Sequence, residues 1–109
     1  MTINPKQAQE HKISFQALNA ITEWEQLKLI LIDFAKTQDS HSATILGYIK
    51  ALSQNQRGFW VEFGNQAGFI SDVMYSKTQK KVTIEYVDAE GNPGVIPSSQ
   101  TDVKVYFRG

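Results

Sequence analysis

Hydrophobic residues recur along this chain at two periods, and the point where the period changes divides it. Over residues 22–37 the period is helical. At ~100° per residue, Trp24, Leu27, Ile30, Leu31, Ile32, Phe34 and Ala35 fill an arc of roughly 200°. That stripe is wider than a surface helix requires, so the helix is expected to lie deep against a sheet, with Leu29 off the stripe. Thr22-Glu23-Trp24-Glu25 has the spacing of a capping box, in which the Thr22 hydroxyl accepts from the third amide and Glu25 reaches back. Glu23 and Glu25 also suit the positive end of the helix dipole.

From residue 58 onward the period is two. Residues 58–64 are rich in strand formers and bounded by glycines. Residues 65–68 make a turn, 69–75 return as a second strand, 76–79 turn again, and 80–87 form the clearest strand. Residues 88–94 are a loop by their Gly, Pro and Asn content. Val95 and Ile96 make a brief strand and residues 102–108 a final one. The regular spacing suits an antiparallel meander.

Two stretches are less clear. In residues 43–52, Ile45, Leu46, Ile49 and Leu52 fit a helical face with Ser42 as a cap, but alternation also divides the segment into two faces. Gly47 weakens a helix interior and the β-branched content favours a strand, so a strand is the expectation. Ile13, Phe15 and Ala17 alternate with polar residues as a short strand or ordered lead-in. Residues 1–12 hold almost nothing to bury and read as a flexible arm, leaving residues 13–109 as one domain.

The expected fold is α+β: one main helix packed against an antiparallel meander of about five strands. Alternation assigns Phe59, Val61 and Phe63, Val82, Ile84 and Tyr86, and Val103, Val105 and Phe107 to the core faces. The opposite faces carry Trp60 and Glu62, Thr83, Glu85 and Val87, and Lys104, Tyr106 and Arg108. Trp, Tyr and Arg are enriched at binding hot spots, so this second face is a candidate docking surface. The alternative is that the arm or residues 43–52 cover Trp60. Exposure of Trp60 predicts that Trp60→Ala spares stability and damages binding.

Composition narrows the chemistry. The chain has 109 residues, 41% hydrophobic and 20% charged, which is ordinary for a globular domain. Eleven basic residues balance eleven acidic ones, so the net charge is +0 and the basic excess of a duplex binder is absent. There are no cysteines, which excludes disulfides, thiolate metal sites and thiol catalysis. The N-terminus has no apolar signal segment and no apolar run approaches a membrane span, so the expected location is cytoplasmic.

The histidines, His11 and His41, stand far apart in polar contexts, and no metal-ligand spacing occurs. Residues 88–92 have the composition of a calcium loop but lack its spaced ligands. No serine lies in a nucleophile elbow and no glycine pattern cradles phosphate. Glu62 and Glu85 on neighbouring strand segments are the one carboxylate pair to consider for glycoside chemistry. The expectation is a non-enzymatic protein without cofactor or metal. Trp60 and Tyr106 beside Lys104 and Arg108 also suit base stacking, so single-stranded nucleic acid is the alternative partner. A phage-type structural or assembly subunit is a further alternative.

The capped helix is followed by Phe59-Trp60-Val61-Glu62-Phe63-Gly64, by Gly68-Phe69-Ile70, and by a tyrosine-ended strand running into the acidic turn of residues 88–93. In these features, over roughly residues 22–96, the chain resembles the small immunity proteins of bacterial polymorphic-toxin and contact-dependent growth-inhibition systems. The resemblance implies a cytoplasmic inhibitor that binds and neutralises one cognate toxin domain. Such domains are often nucleases with basic clefts, which points to Glu62, Asp72, Glu85, Asp88 and Glu90 as charged contacts and to Trp60, Tyr75 and Tyr106 as apolar anchors.

Overall fold

The computed structural model describes residues 14–97 and 99–109; the arm expected at residues 1–12, with His11, lies outside them, as does Ile13. Among the described residues three helices come first: α1 (Phe15–Asn19), α2 (Trp24–Thr37) and α3 (Ser40–Gln54). Five strands follow: β1 (Gly58–Phe63), β2 (Gln66–Ser76), β3 (Lys81–Val87), β4 (Pro93–Ile96) and β5 (Lys104–Arg108). They form one antiparallel sheet in the order β4-β3-β2-β1-β5. The fold is therefore the expected α+β arrangement, with one change of topology. The first four strands meander, but β5 does not continue beside β4; it returns to the far side of β1. The two sheet edges are β4 and β5.

The expected strand over residues 43–52 is instead the middle of α3. Two facts account for this. The Asp39 carboxylate accepts from the Ser42 amide at 2.7 Å, which satisfies a donor at the start of the helix. Gly47, the residue that argued against a helix, faces open space, so it costs only propensity and no packing. Ile45, Ile49 and Leu52 are the buried residues of the apolar face. Asp39→Ala lowers stability by about 1 kcal/mol in urea unfolding, the usual worth of an N-cap.

Residues 15–19 are likewise helical rather than extended, because Ser14 caps the turn by accepting from the Ala17 amide. The capping box expected at Thr22 is not formed. Helix α2 starts at Trp24 with Glu23 as its N-cap and no side-chain cap bond. Glu23 is held extended instead, in an isolated antiparallel bridge to Lys104, and Glu25 turns to Lys28 at 3.1 Å. The first hairpin turn is tighter than expected: β2 begins at Gln66, and Gly64 takes a φ of 56° in the two-residue connection.

The core forms where α2 and α3 meet one face of the sheet. Leu27, Ile30, Leu31 and Phe34 of α2 and Ile45 and Ile49 of α3 join Phe59, Val61, Ile70, Ile84, Ile96 and Val105 in one buried cluster. Leu29 points away from it and is 49% exposed. The core faces read from alternation are the observed ones. On that side the Tyr86 ring stands edge-on to Phe63 and lies over two glycines. A Cβ at Gly94 would meet it at 2.5 Å; one at Gly68 would meet it at 2.5 Å and the Val87 carbonyl oxygen closer still. The Tyr86 hydroxyl donates to Gln66 Oε1, so its polar end is satisfied.

Candidate protein-binding face

Strand register builds a single row of side chains across the outer face of the sheet. Trp60 stands opposite Tyr106 on one side and Phe69 on the other, Phe69 opposite Val87, and Val87 opposite Pro93. The row crosses all five strands. Its centre is immobilised. The Trp60 ring meets Phe69 edge-to-face with centroids 4.8 Å apart, and the Arg108 guanidinium stands 4.6 Å from the Trp60 ring centroid. The Trp60 indole N–H donates to Glu62 at 3.0 Å. Trp60 is half-buried, Phe69 is buried beside it, and Tyr106 at the end of the row is 46% exposed.

These contacts give Trp60 a share in stability that alternation alone does not reveal. Trp60→Ala removes an aromatic pair and a cation–π contact, and lowers the unfolding free energy by about 2 kcal/mol. Chemical denaturation measures this directly; a loss approaching that of a core phenylalanine would mean that the face is covered.

The acidic candidates gather beside this row. A groove of about 430 Å³ opens between the C-terminal half of α3, which contributes Lys50, Ser53 and Gln54, and the outer face of β2 and β3. Asp72 and Glu85 occupy directly opposed positions on those strands. Like charges so placed repel, and Lys50 Nζ, 3.9 Å from the Asp72 carboxylate, offsets part of that repulsion. Asp88 closes one end of the groove, where its carboxylate accepts from the Glu90 and Asn92 amides at 2.9 and 2.8 Å. The Asn92 amide, above all, holds the Asp88 carboxyl below its ordinary value of 3.8, so it is ionised at neutral pH. That carboxylate is committed to its own turn.

The structure thus brings Trp60, Glu62 and Tyr106 together, and separately Asp72, Glu85 and Asp88. Val87 belongs to both the aromatic row and the groove, so the two groups adjoin. Glu90 is exposed on the loop next to Asp88. Tyr75 stands apart: it pairs with Val82, packs against the core, and has Lys36 Nζ 5.7 Å from its ring. Glu62 and Glu85 share the outer face, but they lie two strands apart on opposite sides of the aromatic row. Strand spacing puts them roughly 15 Å apart, too far for paired acid–base chemistry.

Phe69 was hidden from sequence reading by a bulge. The register shifts between Ile70 and Asp72, so Phe69 and Val73, of the same parity, face opposite sides. Among the described residues no group of three His, Cys, Asp or Glu side chains is placed to hold a metal ion, and no helix is long and apolar enough to cross a membrane. No protein-family model, curated protein or solved structure matches the chain.

Proposed function

We propose that this chain is a non-enzymatic protein-binding module, an immunity-type inhibitor that neutralises a cognate toxin domain in the bacterial cytoplasm. The observation that carries the reading is the outer sheet face. A row of aromatic and apolar side chains, held at its centre by the packing of Trp60 on Phe69, runs from Tyr106 to Pro93 and adjoins a groove rimmed by Asp72, Glu85 and Asp88. Fixed aromatic side chains supply contact area at little entropic cost, and neighbouring carboxylates supply selectivity for a basic surface. Together they fit a toxin domain whose cleft is basic. The resemblance to immunity proteins supports the same class.

A second reading, single-stranded nucleic acid, is favoured by Lys104 and Arg108, which flank Trp60 and Tyr106 on this face. Affinity capture of the tagged chain from lysate of its source cell separates the two. With nuclease added, the inhibitor reading predicts one stoichiometric protein partner, retained as salt is raised and lost with Trp60→Ala plus Glu85→Lys. Retention of nucleic acid alone when nuclease is omitted, falling steeply with salt, overturns it in favour of base stacking. Self-assembly without any foreign partner would point to a structural subunit instead.

A further inference from the structure

The edge strand β5 carries a groove that the outer-face reading does not use. About 540 Å³ of open space lies between residues 22–25, where the chain passes into α2, and residues 102–106. Contact with five consecutive residues places this groove along the backbone edge of β5, whose one strand neighbour among the described residues is β1, on the other side. The edge already accepts an antiparallel partner at one position, the bridge of Glu23 to Lys104. On either side of that bridge the chain diverges from β5, and the groove is the wedge this leaves.

Three further observations define an occupant. Trp24 lines the groove and is 5% exposed, and its buried indole N–H has no acceptor among the described residues. A buried donor left unpaired is costly, so a shift of Trp24 that brings its N–H to a carbonyl in the wedge is favoured. The lining carries the carboxylates of Glu23, Glu25 and Asp102 against the single ammonium of Lys104. Glu25 is paired to Lys28, while neither Glu23 nor Asp102 has an ion pair among the described residues. Val103 and Val105 add apolar wall, beside Thr22 and Tyr106.

We propose that the free edge of β5 is a strand-addition site for an extended, basic segment of a protein partner. The added backbone extends the ladder begun by Glu23, one of its carbonyls accepts from the Trp24 indole N–H, and its basic side chains meet Glu23 and Asp102. Strand addition takes affinity from main-chain hydrogen bonds and selectivity from alternate side chains, which is what this edge offers. A second copy of this chain fits less well. Antiparallel self-pairing centred on Tyr106 sets Lys104 directly against Arg108 of the other copy, a repulsive pair.

The site shares Lys104 and Tyr106 with the outer face but none of its acidic residues, so it is tested through Glu23 and Asp102. The probe is a capped heptapeptide of alternating lysine and valine, titrated into the labelled protein and followed by amide and indole resonances. Slowed exchange at the alternate β5 amides that point away from β1 and a downfield shift of the Trp24 indole N–H are expected. The glutamate–valine counterpart should bind at least tenfold more weakly, as should the lysine–valine peptide to Glu23→Lys combined with Asp102→Lys. A Lys–Val peptide interrupted by proline should not bind. Lys81→Ala, on β3 away from both faces' contacts with β5, should leave these shifts unchanged. No perturbation along β5, equal binding of both peptide charges, or a concentration-dependent dimer by sedimentation would each overturn the proposal.

Discussion

Phe59→Ala lowers the unfolding free energy by about 3–5 kcal/mol, roughly twice the cost of truncating its neighbour Trp60. The ring is fully buried in β1, an inner strand between β2 and β5, and meets Phe107 edge-to-face at 5.3 Å. It belongs to the cluster that joins α2 and α3 to the sheet, so its removal leaves a cavity walled by regular elements that cannot easily collapse. Urea unfolding reads the difference. Equal losses for Phe59→Ala and Trp60→Ala would mean that β1 is buried on both faces and that its outer side has no surface to offer a partner.

Gly68→Ala lowers stability by about 3 kcal/mol, although it adds a single methyl group. At this position the new carbon meets the Tyr86 ring at 2.5 Å and the Val87 carbonyl oxygen closer still. The ring is not free to withdraw, because Phe63 stands against it and its hydroxyl is bonded to Gln66. The carbonyl is backbone within the β3 strand. Tyr86→Leu should therefore recover only part of the loss, and a double-mutant cycle measures that part. Full tolerance of alanine would show that β2 and β3 do not approach as closely here as the register requires.

These positions also show how far the sequence could be read. The α2 stripe and the core faces of β1, β3 and β5 were legible because each is an unbroken period, and the structure buries most of those residues, with Ile32, Val82 and Phe107 half-buried. Helix α3 was not, since Gly47 and the β-branched residues argue for a strand. What decides is a cap from Asp39, three residues upstream of the bonded amide, and an exposed location for the glycine. The bulge in β2 reverses the alternation halfway along, which concealed Phe69 as the support of Trp60. The return of β5 to β1 is a long-range pairing with no local signal, and through it Tyr106 and Arg108 reach the Trp60 side of the sheet. Of the acidic candidates, pattern alone could not tell the groove pair, Asp72 and Glu85, from Asp88, whose carboxylate is spent on its own loop.

The most direct test of the central claim, that the outer face neutralises a toxin domain, is growth rescue. The captured partner is expressed alone and together with this chain, and the growth rate of the host is measured. The account predicts that the partner arrests growth and that the wild-type chain restores it. Trp60→Ala combined with Tyr106→Ala and Glu85→Lys should fail to rescue while remaining folded by circular dichroism. Full rescue by that variant, or a partner harmless when expressed alone, would contradict the account.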